Sequence, residues 1–370
     1  MNELYIGLMS GTSADSIDSA LVDLSKNKCE LLEKESTPIN KELKNKIFET
    51  INRKNLNKNE IDILDLEMGK LFGHAVLDLL RKASVEANKI KAIGSHGQTI
   101  KHAPNEPKPY SLQIGNPKVI TDLTKIKTVG DFRNDDIKAG GEGAPLAPLF
   151  HQFILQTNNL KGGVIINIGG ISNLTVVNNE NEVFGYDCGP GNCLMDAWIR
   201  SHGKGDYDKA GAWASRGEFN SNLLKLMMED SYFSAEHPKS TGTDYFNLSW
   251  LNEKISKLNF IPSTEDVQAT LSELSAQIIY LELKRLKKLR EQVFVCGGGV
   301  HNNFLMEKIK NKIKNEIFTT ASLGQDPDYL EACCFAWLAK KRLDRFEFDL
   351  SQITGSKKPI CLGTIFEVPI

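Results

Sequence analysis

The chain has 370 residues, more than one ordinary hydrophobic core accommodates, so two domains or lobes are expected. Hydrophobic residues make up 41% and charged residues 25%, the balance of a globular enzyme, and a net charge of −2 provides no field to recruit nucleic acid or an anionic membrane. No apolar run approaches the ~20 residues that span a bilayer, and Met1-Asn2-Glu3-Leu4-Tyr5 lacks the basic and long apolar regions of a signal peptide, so no membrane partner and a cytoplasmic protein are expected.

Seven cysteines without C-x-x-C spacing read as reduced thiols, and seven histidines without an H-E-x-x-H pattern argue against a protein-held zinc. Leu4 to Met9 is a short apolar run; Ser10-Gly11-Thr12-Ser13 follows, then a polar stretch to Asp18 and a second apolar run, Ala20 to Leu24. This predicts strand, turn, strand, with a third strand from Cys29 to Lys34. Hydroxyls and backbone N–H groups at such a tip suit phosphate oxygens, although a plain hairpin turn has the same pattern. No G-x-x-x-x-G-K-[ST] loop and no G-x-G-x-x-G helix opening occurs.

Glu60 to Ala87 carries a broad apolar face at helical spacing, and Ile90 to Ile93 reads as a strand. It leads into a polar loop, Gly94-Ser95-His96-Gly97-Gln98-Thr99, at the strand end where open α/β sheets bind ligands. His96 is there either a ligand donor or a structural histidine. Leu112 to Asn116 and Thr128 to Arg133 are further strand-end segments. The glycines of Ala139 to Leu146 make either a flexible crossover or a ligand-wrapping loop. Arg133 either clamps a carboxylate or phosphate or makes a surface ion pair.

The second half repeats the opening: an apolar run, Gly163 to Ile168, a turn at Gly169-Gly170-Ile171-Ser172, and a second run, Asn173 to Val177. Val183 to Tyr186 then ends in one carboxylate, Asp187, followed by the elbow Cys188-Gly189-Pro190-Gly191-Asn192 and a helix-like run from Cys193 to Arg200. An acid at a strand end before a glycine turn sits where backbone amides approach a ligand, and equally suits a solvated turn. His237 to Asp244 reads as a loop. Ser263 with Asp266 caps a long helix whose stripe is Val267, Leu271, Leu274, Ile278 and Leu281. The strand Val293 to Cys296 runs into Gly297-Gly298-Gly299 and a helix from Phe304 to Asn315. Bare backbone here admits a flat ring, or the glycines serve packing. Pro327 to Lys341 is the last clear helix, with Glu331 in its first turn, favoured there by the helix dipole.

In this order, Gly7-Leu-Met-Ser-Gly-Thr-Ser13, Ser95-His-Gly-Gln-Thr99, Gly130-Asp-Phe-Arg133, Ala139 to Leu146, Asn167 to Asn173, Asp187 to Asn192 and Glu331 to Ala339 resemble the bacterial 1,6-anhydro-N-acetylmuramic acid kinase family. The resemblance implies an α/β, two-lobed actin/hexokinase/Hsp70-like ATPase fold, with ribonuclease H-like mixed sheets, flanking helices and a central cleft. It also implies ATP, Mg²⁺, a small-molecule sugar substrate and a homodimer. In that family water opens the anhydro bridge and O6 takes the γ-phosphoryl group, giving N-acetylmuramic acid 6-phosphate in cell-wall recycling.

By resemblance Gly11, Thr12, Ser13, Ala14, Asp15, Ser16, Ile17 and Asp18 form the first phosphate turn; the repeated strand-turn-strand pattern makes Gly169 and Gly170 the expected second. Gly297, Gly298 and Gly299 form the adenosine-side turn. Asp187 matches the catalytic base, Glu331 an acid orienting the water, and Arg133 an arginine near the transferred phosphoryl. His96, Gln98, Asp131, Gly189 and Asn192 are the expected sugar contacts. Two positions depart from the family pattern: Ser16 stands where Gly is usual and Cys188 where Thr is usual. The acid that commonly precedes the first phosphate turn in this fold is replaced by Met9-Ser10, so the Mg²⁺ ligands are not identified. The expected lobes are 1–130 with 345–370, and 131–344. An enzyme of this fold acting on another small molecule, or a nucleotide-dependent chaperone or filament protein, are the competing readings.

Overall fold

A computed structural model describes the chain except for Met1, Lys54, Asn181, Pro238 and Ile370. Met1, in the stretch read against a signal peptide, and Pro238, within the expected loop 237–244, therefore lie outside the described residues. The chain folds as two compact units, Met1–Asn158 with Gly324–Ile370, and Asn159–Leu323.

The first unit begins with β1 (Leu4–Met9), β2 (Ser16–Asp23) and β3 (Glu30–Pro38), an antiparallel meander. Helices α1 (Lys41–Ile51) and α2 (Lys58–Ala83) follow, each opened by an asparagine: Asn40 Oδ1 accepts from Leu43 N at 2.9 Å, and Asn57 Oδ1 from Asn59 N at 3.0 Å. The expected helix to residue 87 stops earlier because Ser84 turns left-handed, φ 55°, and its N–H closes on the Leu80 and Arg81 carbonyls. Then come β4 (Ile90–Ser95), the hairpin β5 (Gln98–Ala103) and β6 (Tyr110–Ile114), α3 (Pro117–Thr124), β7 (Thr128–Gly130), α4 (Phe132–Lys138) and α5 (Ala147–Thr157). The polar loop expected over 94–99 thus shrinks to His96-Gly97. Arg133, expected at a strand end, lies in the first turn of α4.

The second unit holds β8 (Gly163–Ile168), β9 (Ile171–Val177), β10 (Val183–Pro190), α6 (Cys193–Ser201), α7 (Ser221–Met228), α8 (Ser231–Ser234), α9 (Leu248–Ser256), α10 (Thr264–Arg285), β11 (Val293–Cys296), α11 (Asn303–Ile313) and β12 (Ile317–Thr319). The chain then returns to the first unit with α12 (Leu330–Leu343) and β13 (Thr364–Phe366).

The first unit's main sheet runs β13-β7-β4-β1-β2-β3; the second unit's runs β10-β9-β8-β11-β12. With the edge strand β13 set aside, both have the order third, second, first, fourth, fifth. In both the first three strands are antiparallel, and the fourth and fifth run parallel to the first. This is the ribonuclease H-like sheet, built twice, which is the actin/hexokinase/Hsp70-like ATPase fold. Ile6, Leu8, Ile17, Phe72, Leu79 and Ile93 centre the first core; Ile166, Ile168, Val176, Leu274, Ile278 and Val295 centre the second.

The expected lobe limits at 130 and 344 move to 158 and 323. The reason is helix packing. A Cβ on Gly7 would fall on the Ala332 carbonyl oxygen and one on Gly94 on that of Phe335, so α12 lies directly on the backbones of β1 and β4. Phe150 and Phe153 of α5 then pack at a tilt against Trp337 of α12, ring centres 5.7 and 5.2 Å apart. Segments 131–158 and 324–344 therefore belong to the first core.

Candidate active site

In the first unit the β1–β2 tip is closed by Ala14 N donating to Gly11 O at 3.0 Å, with Ala14 left-handed at φ 47°. Thr12 and Ser13 are exposed, whereas the side chains of Ala14 and Ile17 are core, leaving these two only backbone to offer a ligand. Asp15 is ion-paired with Lys44. Asp18 accepts from Ser36 Oγ at 2.8 Å and Ser16 Oγ at 3.2 Å; desolvation nonetheless raises its pKa. Ser16, standing where glycine was expected, thus binds the acid of its own strand. Beneath the tip, buried Ser10 donates to Gln98 Oε1 at 2.7 Å.

The approach of α12 to Gly7 and Gly94 brings Glu331, in its first turn, to the end of β1. Burial raises the Glu331 pKa, the Arg133 guanidinium opposes that rise, and the Asp18 carboxylate adds to it. Arg133 donates from Nε to His96 Nε2 at 3.0 Å and from Nη1 to Gly143 O at 2.9 Å. Because His96 accepts through Nε2, its Nδ1 carries the proton and donates to Gly97 O at 3.0 Å. Desolvation, with Arg133 next, holds its pKa well below the usual value, so the ring is neutral. His96 therefore positions the guanidinium. Arg133, Glu331 and Asp18, far apart in sequence, form one electrostatic group.

Asp131, left-handed at φ 56°, accepts from Asn134 Nδ2. The glycine loop 139–146 is ordered around Asp136, which takes Gly143 N at 2.7 Å and Thr354 Oγ1 at 2.8 Å; sequence reading missed this buried acid.

In the second unit Asp187 sits on β10 immediately before a bulge. Asp187 pairs with Asn173 and Gly189 with Ser172, so Cys188 is the extra residue. The buried Cys188 thiol, with its pKa driven well up by burial, is inert packing and brings no hydroxyl to the acid beside it. Asp187 Oδ2 accepts from Ser240 Oγ at 2.9 Å and Thr241 N at 3.1 Å, and its main-chain O from Tyr232 OH at 2.7 Å. The elbow docks on the Gly169–Gly170 turn: Asn192 N donates to Gly169 O at 2.8 Å, Gly191 N to Gly170 O at 2.9 Å and Asn192 Nδ2 to Ile168 O at 3.2 Å. Gly189 is packed under Phe233 with φ 144°. These bonds make Asn192 and Gly189 parts that hold the elbow in place.

The glycines separate into two kinds. Gly191, Gly297 and Gly299 are required by the protein itself: a Cβ would strike Gly169 O, Asn167 Oδ1 and Ile168 Cγ2, respectively. Gly11, Gly169, Gly170 and Gly298 are not. None has a left-handed φ, and a Cβ would meet nothing within 4 Å at Gly11 and Gly298, only Ile171 O at 3.5 Å at Gly169, and Cys193 Cβ at 3.8 Å at Gly170. The bare backbone at these four positions has no intramolecular reason. Within the triple glycine the open position is Gly298; the other two are packing glycines. Among the described residues no group of three or more His, Cys, Asp or Glu side chains could hold a metal, and no helix is long and apolar enough to cross a membrane.

The sequence profile described as anhydro-N-acetylmuramic acid kinase matches residues 3–368. Curated relatives named anhydro-N-acetylmuramic acid kinase include that of Coxiella burnetii (strain Dugway 5J108-111), 43% identical over 98% of this chain and 97% of its own. Those of Vibrio vulnificus (strain CMCP6) and Photobacterium profundum are 41% and 40% identical, each over 98% of both chains. A profile covering nearly the whole length, with relatives aligned end to end, shows that this chain belongs to the anhydro-N-acetylmuramic acid kinase family.

Proposed function

We propose that Asp187 is the general base of this kinase, with Glu331 and Arg133 as the acid and cation that complete the chemistry. The enzyme is an ATP-dependent anhydro-N-acetylmuramic acid kinase: water opens the 1,6-anhydro bridge, O6 takes the γ-phosphoryl group, and the products are N-acetylmuramic acid 6-phosphate and ADP. The observation that carries the residue assignment to the nucleotide is the set of glycines without an intramolecular reason. Gly11, Gly169, Gly170 and Gly298 fall in the three turns expected to meet ATP, and bare backbone N–H groups there suit phosphate oxygens and a flat ring.

Asp187 takes the proton of the attacking water as its oxygen bonds to the acetal carbon and the bond from that carbon to O6 breaks. Two donors on Oδ2 fix the plane of the carboxylate, as a base needs. A second acid usually protonates the departing oxygen in glycoside cleavage. Here O6 attacks the γ-phosphorus as the bond from that phosphorus to the β–γ bridging oxygen breaks, so the charge leaves on ADP and one base serves both events. Arg133, oriented by neutral His96, supplies positive charge for the phosphoryl oxygens, and Glu331 orients the water. Mg²⁺ binds through one or two carboxylates plus substrate phosphates. Asp18, a half-buried acid held by two serine hydroxyls, has the matching donor chemistry, and the ion would neutralise charge on the phosphates. Asp131 is the proposed sugar contact of the first unit, with His96 and Gln98, whose polar atoms are engaged within the protein, supporting that side of the site. The elbow of Gly189 and Asn192 positions Asp187 against the sugar.

The need for ATP and seven free cysteines support action in the cytoplasm. The homodimer implied by the family resemblance is checked by sedimentation. The reaction itself is checked by mass analysis of the product formed in ¹⁸O-water. A product carrying one added phosphoryl group and one labelled oxygen is expected; phosphorylation without label uptake would remove the hydrolytic step.

A further inference from the structure

Next to Asp187 lie His237, Lys239, Ser240 and Thr241, described residues outside any helix or strand that the reaction so far leaves unused. His237 stacks on Phe184 at 5.3 Å and on Tyr186 at 5.0 Å. Lys239 O accepts from Asp187 N at 3.2 Å, and the next two residues supply two donors to Asp187 Oδ2, Ser240 Oγ and Thr241 N. The segment is therefore a strap laid along the strand that carries the acid. It is fastened from below: Lys239 Nζ reaches Glu282 Oε1 of α10 at 2.8 Å, with the two side chains only 5% and 4% exposed. The same ammonium donates to Tyr232 O at 3.3 Å and lies 4.9 Å from the Tyr232 ring centre. Glu282 is completed by Tyr186 OH at 2.9 Å and by Arg285. Tyr232 in turn donates its hydroxyl to Asp187 O at 2.7 Å.

We infer that the buried Lys239–Glu282 pair is a positioning device for catalysis: it fixes the strap whose Ser240 hydroxyl and Thr241 amide aim the Asp187 carboxylate. A buried ion pair is weak evidence of stabilisation in itself, since apolar packing of equal volume often does as well. Its value is a defined geometry, and here that geometry is passed through one residue, Ser240, to the acid. Lys239 and Glu282 touch no reacting atom in this scheme. A base displaced by a fraction of an ångström loses rate with little change in substrate binding. The inference rests on the reading of Asp187 as base.

The test compares Ser240→Ala, the isosteric pair Lys239→Met with Glu282→Met, and Asp187→Asn, alone and combined. Folding is checked by circular dichroism and Tm, and the kinetics are read as kcat and KM for ATP and sugar. Expected are a fall in kcat of about 10–100-fold for Ser240→Ala and for the folded double variant, with both KM values within about threefold. Neither change is expected to reduce rate further in the Asp187→Asn background, because the strap acts through that carboxylate. If Asp187→Asn abolishes turnover while the folded strap variants keep wild-type kcat, or if their losses multiply with that of Asp187→Asn, the positioning inference is overturned. If Asp187→Asn itself turns over normally, the base assignment fails instead. Should the double variant not fold, Ser240→Ala, which leaves the buried pair intact, decides alone.

Discussion

The unexplained glycines give the sharpest test of nucleotide binding. Gly11→Ala and Gly298→Ala would place a Cβ in space with no protein atom within 4 Å, and Gly170→Ala would place it 3.8 Å from Cys193 Cβ, an ordinary contact. None of the three backbones is left-handed. Alanine therefore costs the fold nothing sterically and gains about 0.4–1 kcal/mol by restricting the unfolded chain. The Tm should hold or rise by a few degrees, at about 2–4 °C per kcal/mol for a unit of this size. Gly191→Ala is the contrasting control, because its Cβ would strike Gly169 O and lie 2.7 Å from Ser172 Oγ. It should lower stability by about 1–3 kcal/mol. If ATP lies against the bare turns, the first three variants should raise KM for ATP at least about tenfold, equivalent to about 1.4 kcal/mol. The KM for the sugar should be less affected. Thermal melts with and without ATP, followed by steady-state kinetics, check both halves. A folded Gly11→Ala and Gly298→Ala with unchanged ATP affinity would refute the reasoning, as would a large loss of Tm in either.

Asp187→Asn should lower turnover by about 10²–10⁴-fold while ATP still raises the Tm as in the wild type, checked by kinetics and nucleotide-dependent melts. Glu331 has a raised folded pKa, from burial first and Asp18 in addition, so whatever it contributes to stability is present below its unfolded pKa and lost as pH rises through the folded one. Glu331→Gln should therefore raise the Tm of the substrate-free protein at about pH 7.5 while reducing kcat, a pairing read from one melt and one assay. Two buried histidines act in the opposite sense. His151 is depressed to about 3 and His96 falls well below its usual value, both through desolvation, so their stabilising contribution holds above about pH 6.5 and is lost on acidification. His151 should cost about 1.4 kcal/mol between about pH 7.5 and 5.5, and His96 should add a loss of the same sign, seen as a falling urea midpoint with unchanged slope.

Local chemistry in the sequence carried the hairpins. An apolar run, a tip of glycines and hydroxyls, and a second run gave β1–β2 and β8–β9, and Ser263 capping Asp266 N at 3.1 Å gave the start of α10. Long-range partners were not legible. Gly7 and Gly94 stood in the right motifs, but their reason is α12, whose Ala332 and Phe335 are distant in sequence. That same packing defeated the expected lobe limits. The stripe of α10 was also misread by one residue: Leu281 is partly exposed and Glu282 is the buried side chain. Glu282 stands four residues after Ile278, in step with the apolar face. A carboxylate in that register asks for a buried cation, and nothing local in the sequence marked Lys239, in a segment otherwise read as loop, as that partner.

The position of Asp187 follows from the sheet order. β10 is an edge strand, one side paired with β9 and the other without a strand. On such an edge the outward N–H groups need partners from somewhere. At Asp187 the partner is a loop carbonyl, Lys239 O at 3.2 Å. A neighbouring strand would have turned its own side chains up and down and offered its amides only to the ladder. A strap can instead turn Thr241 N and Ser240 Oγ onto the side-chain carboxylate within two residues of the backbone bond. The bulge at Cys188 shifts the pairing register one residue later, with Gly189 and Pro190 still paired, so the acid has the sheet behind it and the fastened strap in front. The corresponding third strand of the first unit, β3, is also an edge but has no such bulge at its end and finishes at Pro38. Topology alone therefore does not distinguish the Asp187 position; its contacts with Lys239, Ser240 and Thr241 do. Lengthening residues 237–241 by one glycine should accordingly reduce kcat while the Tm of the protein changes little, and an unchanged kcat in the folded insertion variant would show that the sheet positions Asp187 unaided.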